Sequence, residues 1–199
     1  MAVEFKYNKT SLQELKIQLK VRESALPTLK NKEAALRMEV RKSKKEAEAF
    51  QQKLADRTEE VKSMVRLWAE FDADLMKLKD AEYETKVIAG VRIPVLNKMD
   101  FEITDFSLFG RPGWFMDGII ILKELTRLSL QRDVSLRTSE LLEKARKKTS
   151  QKVNLYEKVQ IPDYKAAMSK IKRYLEDEEN LSKSAQKILK KRTEQQAEI

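Results

Sequence analysis

The sequence contains neither cysteine nor histidine, and its 199 residues include only four glycines and four prolines. Without cysteine or histidine, the chain cannot form a disulfide, cannot supply a thiol or imidazole nucleophile, and lacks the usual ligands of a protein zinc site. Because glycine and proline dominate turns, their scarcity leaves few positions for tight turns. The composition therefore favours long helices over a compact, turn-rich fold.

A membrane-spanning segment is also missing from the pattern. No run of about 18 consecutive apolar residues occurs, and a transmembrane helix needs that length. The most apolar segment, Trp114–Leu122, is short and is interrupted by Asp117. The first ten residues, MAVEFKYNKT, lack the apolar centre of a signal peptide. We therefore expect a cytoplasmic protein without direct membrane insertion.

Charge is abundant, since Asp, Glu, Lys and Arg make up 37% of the residues and the net charge is +9. Such a balance permits nucleic acid, an anionic membrane surface or an acidic protein as partner. The densest basic run consists of Arg37, Arg41, Lys42, Lys44 and Lys45. Binding of single-stranded nucleic acid usually also needs exposed aromatic rings, and the aromatic residue nearest to this run in the sequence, Phe50, lies on an apolar seam. We therefore expect that the chain binds no nucleic acid.

The most informative pattern is an apolar heptad repeat that continues from Leu12 to Leu78. An ordinary globular helix runs about 8–20 residues, so a seam of this length is typical of a coiled coil. Its polar members, Arg22, Glu33, Ser43 and Arg57, are expected to set the register of pairing. The apolar members are Leu12, Leu15, Leu19, Leu26, Leu29, Leu36, Val40, Ala47, Phe50, Leu54, Val61, Met64, Trp68, Phe71, Leu75 and Leu78.

The ends of this first helical arm are also predicted from local signals. A capping box, Ser11-Leu12-Gln13-Glu14, places the start near Ser11, and the end of the heptads places the end near residue 80. Pro27 lies inside the repeat and should kink the helix, because proline removes one backbone hydrogen bond.

A second arm is predicted from 114 to 192, with a kink at Pro162. Since the two arms match in length, they should pair antiparallel, with Leu12–Leu19 beside Ala185–Leu189. The clean part of the second seam includes Met168, Ile171, Leu175 and Leu189.

Strand-like sequence lies between the arms. Thr85–Ile93 and Met99–Thr104 are β-branched or alternating, and Pro94–Lys98 between them is too long for a two-residue turn. A lone hairpin is marginal in water, so we expect it to dock on a partner and to stay outside the shaft core. The predicted fold class is all-α, a long antiparallel two-helix coiled-coil hairpin with a small β-hairpin in its middle segment. One elongated domain, 1–199, would comprise arms 11–80 and 114–192 and a hairpin and loop at 85–113.

The sequence lacks two common motifs of nucleotide-binding and catalytic sites. No glycine stands in a phosphate-binding loop of the form G-x-x-x-x-G-K-[ST], and no G-x-S-x-G elbow occurs. The acidic run at 176–179 fans around a helix, so its carboxylates cannot converge on one substrate. We therefore expect no catalytic residue, no metal and no cofactor.

The sequence nevertheless resembles a known family, the D subunits of V/A-type rotary ATPases. The segment Lys148–Pro162 is similar to the family pattern K-T-x-x-[RK]-V-N-A-L-E-x-x-x-I-P, and Tyr7–Thr10, Leu29–Leu36 and Val87–Pro94 are similar to three further family segments in the same order. Lys9 and Leu155 depart from the family's proline and alanine. The motif residues are Lys152, Val153, Asn154, Leu155, Glu157, Ile161 and Pro162, and the hairpin residues expected to dock on a partner are Val87, Gly90, Val91, Ile93, Pro94, Phe101 and Ile103.

This resemblance implies a non-catalytic central rotor shaft. Torque would pass between a hexamer of catalytic A and B subunits and the membrane rotor ring, coupling proton or sodium transport to ATP hydrolysis or synthesis. Further implied partners are the F subunit of the central stalk and the rotor-ring adaptor of the C/d type. Two alternatives remain open at this point: a prefoldin-like coiled-coil holdase and a coiled-coil nucleic-acid-binding arm.

Overall fold

A computed structural model describes residues 4–62, 64–72, 75–105 and 112–197. It is mostly helical (76%) with a small antiparallel β-hairpin, which confirms the predicted fold class. Residues 106–111, which belong to the predicted loop, lie outside the described residues. The elements in chain order are α1 (Lys9–Lys62), α2 (Val65–Trp68), β1 (Met76–Ile88), β2 (Val91–Ile103), α3 (Phe115–Leu155), a π-helical turn (Tyr156–Gln160) and α4 (Ile161–Ala197).

Residue contacts divide the chain into two compact units. The first unit combines Met1–Asn31 with Thr149–Ile199, and the second is Lys32–Lys148. Helix α1 contributes its N-terminal part to the first unit and the remainder to the second. The single elongated domain inferred from sequence stays a prediction.

Every side chain of the predicted heptad seam from Leu12 to Val61 is buried or half-buried, and all of them lie on α1. The helix begins at Lys9, two residues before the predicted start near Ser11, but its predicted cap and its predicted end are wrong. Asn8 caps the helix, since its Oδ1 accepts the Ser11 N–H at 2.7 Å, and the helix ends at Lys62 instead of near residue 80. Met64, Trp68, Phe71 and Leu75 follow α1, and Leu78 lies in β1. Apolar spacing alone misled the prediction, since Trp68, Phe71 and Leu75 are at least half-buried outside α1, whereas Met64 and Leu78 are exposed.

The β-hairpin is longer and tighter than predicted. β1 and β2 pair antiparallel from Met76↔Ile103 to Ile88↔Val91. Only Ala89 and Gly90 connect the strands, with φ angles of 49° and 78°, the positive values that a two-residue hairpin turn requires. The predicted loop at Pro94–Lys98 is wrong, because these residues lie in β2. Proline is tolerated there since both strands of a two-stranded sheet are edge strands.

Replacing Gly90 by alanine should therefore destabilise the protein by about 1–2 kcal/mol. An added Cβ would be held at positive φ and would lie 3.3 Å from Lys32 Nζ. Gly113→Ala is the matched control, because its Cβ would meet nothing within 4 Å. Equal midpoints in urea unfolding for the two variants would contradict the hairpin turn described here.

The core of the second unit joins the hairpin to both helices. Leu36 and Val40 of α1, Ile93 of β2 and Leu142 of α3 form one buried cluster. The expectation that the hairpin stays outside the core is therefore wrong for Ile93, which is only 4% exposed. A two-stranded sheet needs such a contact, because an isolated hairpin is marginal in water.

Within the second unit, α1 and α3 run antiparallel. Arg57 Nε lies 3.0 Å from Glu124 Oε2 near one end, and Arg146 Nη1 lies 3.4 Å from Glu33 Oε1 near the other. Two polar seam positions predicted to set register, Arg57 and Glu33, thus make the cross-helix contacts.

Within the first unit, the N-terminal part of α1 runs antiparallel to α4. Leu15, Ala167 and Ile171 form its buried cluster, and the Tyr7 ring lies 4.9 Å from that of Tyr174. The predicted register is wrong, because Leu15 packs against Ile171 and not against position 185. The prediction assumed a first arm that runs to about residue 80, so it displaced the pairing by two heptads.

The second arm is interrupted directly before Pro162, where the sequence predicts a kink. The interruption takes the form of a π-helical turn, in which the Ile161 N–H donates to the Tyr156 carbonyl five residues earlier. Pro162 explains the change, because it has no N–H and its ring clashes with the carbonyl four residues before it. At Pro27, in contrast, α1 continues as one assigned helix.

Candidate interaction surfaces

The family motif surrounds the junction between α3 and α4. Its first residues end α3, Glu157 lies in the π-helical turn, and Ile161 and Pro162 begin α4. Val153 and Ile161 are half-buried, whereas the other five motif residues are exposed. Glu157 Oε1 accepts a hydrogen bond from Lys30 Nζ at 2.7 Å, which links the motif to α1. Most motif side chains thus lie on the surface, and Glu157 connects the motif to α1 through one ion pair.

The hairpin residues expected to dock on a partner divide into an inner and an outer group. Ile93 is buried in the core, and Val91 packs against it half-buried. Val87 and Ile103 are exposed, and Val87 is 61% exposed. Docking by the outer group stays a prediction.

An aromatic cluster, which the sequence pattern places partly on the heptad seam, lies at the start of α3. Trp68 and Phe71 contact Trp114 at ring-centroid distances of 5.6 and 5.7 Å, and Phe71 contacts the buried Phe115 at 5.2 Å. Gly118 permits this packing, because a Cβ there would come 3.0 Å from the Phe71 ring. The cluster explains why Trp68 and Phe71 follow apolar spacing although α1 has ended.

A groove between β2 and α3 has no counterpart in the sequence predictions. Its volume is about 510 Å³, and its lining includes Met99, Phe101, Lys123 and Arg127. Lys123 Nζ lies 5.8 Å from the centre of the Phe101 ring, a cation–π distance. No local pattern could have revealed the groove, since its residues come from elements that are distant in sequence.

The last part of α4 is an exposed helical surface. Every described side chain from 176 to 193 is exposed, in contrast to the half-buried Leu175. Leu181, Ile188 and Leu189 are apolar, and Leu189 is 62% exposed, so its predicted place in the seam is wrong. Exposed apolar side chains that recur along one helix are typical of an interaction site.

Charge along this surface changes sign. The acidic run at 176–179 is followed by the basic residues Lys183, Lys187, Lys190, Lys191 and Arg192. Glu179 pairs with Lys183 at 2.7 Å, and this hydrogen bond lowers the pKa of Glu179. The end of α4 therefore presents apolar and cationic groups together.

The basic run on α1 is fully exposed, as expected for a solvated face. Arg37 of this run pairs with Glu33 at 2.9 Å. Phe50 is half-buried on the seam, which leaves the run without a neighbouring exposed aromatic ring among the described residues.

In the second unit, Arg146 interacts with two carboxylates. It donates to Glu143 Oε1 at 2.7 Å and lies 3.4 Å from Glu33. The hydrogen bond from Arg146 lowers the pKa of Glu143, and the same bond raises the pKa of Arg146. Because the pKa of Glu143 is lower in the folded than in the unfolded state, its ionised carboxylate stabilises the fold at pH values above the unfolded-state pKa. This stabilisation is lost as the pH falls through the folded-state pKa.

Acid should therefore weaken the second unit partly through Glu143. We expect the free energy of unfolding to fall as pH decreases below about 4.5, where the unfolded carboxyl begins to bind protons. Glu143→Gln should flatten this pH dependence, because glutamine does not titrate. Glu140→Gln on the same helix is the control. Identical slopes for wild type and Glu143→Gln in urea titrations between pH 3 and 6 would contradict the assignment.

Membrane-spanning and metal-binding features are both absent from the part of the chain that the structure describes. None of the helices described there is both long and apolar enough to cross a membrane. Within the same residues, acidic side chains nowhere gather in a group of three or more that could hold a metal ion. The described residues thus define a protein of paired helices and one β-hairpin, with exposed apolar and basic side chains.

Comparison with known proteins gives the family. The family model for the D subunit of ATP synthase matches residues 11–191. The chain is 34% identical over 191 residues to the V-type ATP synthase D subunit of Borreliella burgdorferi, covering 93% of each protein. It is 27% identical over 199 residues to the protein of the same name from Chlamydia pneumoniae, covering 98% of this chain and 95% of the relative. The chain belongs to the family of ATP synthase D subunits.

Proposed function

We propose that the protein is the non-catalytic central rotor shaft of a V/A-type ion-translocating ATPase or ATP synthase. It would transmit torque between the catalytic A/B hexamer and the membrane rotor ring, and so couple ATP hydrolysis or synthesis to proton or sodium transport. The observation that carries the proposal is the family match over nearly the whole chain. The protein would then be cytoplasmic and peripheral to the membrane.

The exposed end of α4 is the candidate contact with the hexamer. A shaft must be gripped by its surroundings, and residues 181–193 combine unburied apolar side chains with positive charge. Burial of Leu181, Ile188 and Leu189 in a partner would supply association energy, and Lys190, Lys191 and Arg192 would favour acidic surroundings.

The second unit offers the remaining contacts. Its outer hairpin residues, its basic groove and its aromatic cluster are candidates for binding the F subunit of the central stalk and the rotor-ring adaptor of the C/d type. These surfaces lie on elements held by one core, so forces applied to the hairpin would pass directly to α1 and α3.

The two alternatives are less well supported. A prefoldin-like holdase uses its strands to pair with sister chains, whereas here Ile93 anchors the hairpin in the core of its own chain. A nucleic-acid arm would need exposed aromatic rings beside the basic run, and Phe50 lies on the seam.

Affinity purification from native membranes tests the proposal. The tagged chain should retain the F subunit in a one-to-one complex together with the A and B subunits. A second preparation with the tag at the opposite terminus controls for steric interference. Isolation of only a homo-oligomer, or of the chain bound to RNA, would reject the rotor-shaft function.

A further inference from the structure

We propose that the first unit contains a compliant joint, a level of the α1–α4 pair at which bending and twisting concentrate. The joint is defined as residues 22–30 of α1 together with residues 156–165 of the opposing helix. Three features of the structure coincide at this level: missing backbone hydrogen bonds, a gap between buried positions, and cross-helix contacts made by polar side chains that are exposed or half-buried.

Backbone support is reduced in both helices at the joint. Pro27 has no N–H, so the carbonyl four residues earlier in α1 lacks its helical donor. Pro162 likewise has no N–H, and the turn before it is π-helical, with the Ile161 N–H bonded to Tyr156. Helices usually kink at proline and at π-helical turns.

The two weakened segments lie opposite each other. Arg22 Nε donates to Gln160 Oε1 at 2.7 Å, and Glu23 Oε1 accepts from Lys165 Nζ at 2.8 Å. Beyond Pro27, Lys30 Nζ lies 2.7 Å from Glu157 Oε1. On α1 these contacts lie on both sides of Pro27, and on the opposing helix they lie within the π-helical turn or after it. At this level, therefore, neither helix has a fully hydrogen-bonded backbone that could support the other.

The joint also lies in a gap between buried positions. Along the seam of α1, Leu15 is buried and the next buried seam residue is Leu36, with only half-buried side chains between them. On the other helix, no described residue between Thr149 and Ala167 is buried. Since close packing gives an interior its low compressibility, the level between these buried positions should deform more easily than the levels at Leu15 and at Leu36.

The contacts that hold the two helices together at the joint tolerate changes of geometry. The Arg22 guanidinium lies 4.6 Å from the centre of the Tyr164 ring and 5.9 Å from that of Tyr156. The ion pairs are partly exposed, and such pairs contribute little energy and tolerate changes of geometry. Sliding stacked and charged contacts can keep two helices together while their backbones bend.

For a rotor shaft, such a joint would allow the first unit to twist elastically under load. That use rests on the proposed function, whereas the joint itself is a property of the isolated chain. The experiments below use the isolated, full-length chain, so they test the joint even if the chain were to join no rotary complex.

Hydrogen exchange provides the first test. Backbone amides at 24–31 and 157–166 should exchange at least roughly tenfold faster than seam-region amides at 40–54 of α1, because local opening needs fewer broken contacts. In the double variant Pro27→Ala, Pro162→Ala, the joint amides should slow by roughly tenfold as each helix regains a hydrogen bond. Equal exchange at the joint and at 40–54 in the wild type would overturn the proposal.

Distances between spin labels provide the second test, which the cysteine-free sequence makes simple. Labels at Gln13 and Asn31 span the α1 side of the joint within the first unit, and labels at Ala34 and Gln52 span the same number of residues of α1 within the second unit; all four positions are exposed. Both pairs should lie about 27 Å apart along the helix. If the joint is the flexible element, the distance distribution of the first pair should be roughly twice as wide as that of the second pair. The double proline variant should narrow the distribution of the first pair. Distributions of equal width would reject the joint.

Discussion

Replacing Ile93 by alanine should lower the free energy of unfolding by about 2–5 kcal/mol. The side chain is almost fully buried between Leu36, Val40 and Leu142, so its loss removes apolar burial and leaves a cavity between three elements. We expect a lower midpoint in urea and a simultaneous loss of hairpin and helix signals, because one core holds both. Circular dichroism and hydrogen exchange on the same samples can check this.

Val87→Ala is the matched control on the same hairpin. This side chain is 61% exposed, so its truncation should change stability by no more than about 0.5 kcal/mol. If the Ile93 variant unfolds at the same urea concentration as the Val87 variant, the hairpin is not part of the core. The comparison also separates two roles, since an outer docking residue should affect assembly without affecting stability.

Much of the helical structure could be predicted because burial on one face of a helix imposes a repeating pattern. The seam from Leu12 to Val61 follows this rule without exception. Even its polar members fit, since Arg57 and Glu33 make cross-helix ion pairs with α3. Pro162 is informative for a different reason, because a residue without an N–H must disturb a helix wherever it lies inside one.

The end of α1 and the hairpin are harder to predict. Trp68 and Phe71 keep apolar spacing because they fill an aromatic cluster with Trp114, and spacing alone does not distinguish such a cluster from a seam. The β-branched neighbours of Gly90 place it in a strand, although it forms half of a two-residue turn. Pro94 suggests a loop, although an edge strand accepts proline.

The register error has a single physical origin. The antiparallel direction of pairing is correct within each unit, but α1 ends at Lys62, well before the predicted end. Pairing therefore places Leu15 against Ile171 and leaves the rest of α4 exposed. The surface groove at Lys123 and Arg127 could not be predicted at all, since it depends on how β2 packs against α3.

Removal of residues 176–199 should leave the fold nearly intact and weaken association with the catalytic hexamer by at least roughly a hundredfold. The buried cluster of the first unit, Leu15, Ala167 and Ile171, lies before the cut, and the described side chains from 176 to 193 contribute exposed surface only. The urea midpoint should therefore change little, while the apolar and basic groups proposed to enter the hexamer are lost. Titration of A/B hexamers with wild-type and truncated chain would measure the difference.

Truncation also shortens the chain, so a full-length variant is needed to assign the effect to the exposed apolar side chains. The triple variant Leu181→Ala, Ile188→Ala and Leu189→Ala keeps the helix, because alanine has the highest helix propensity. It should lose most of the affinity that truncation removes, since apolar groups buried at an interface contribute most of its energy. The control variant Ser182→Ala, Ser184→Ala and Gln186→Ala alters neighbouring exposed, uncharged positions of the same helix and should bind within about threefold of wild type. If both triple variants bind as tightly as the wild type, the end of α4 is not gripped through its apolar side chains, and the contact with the hexamer must lie elsewhere on the chain.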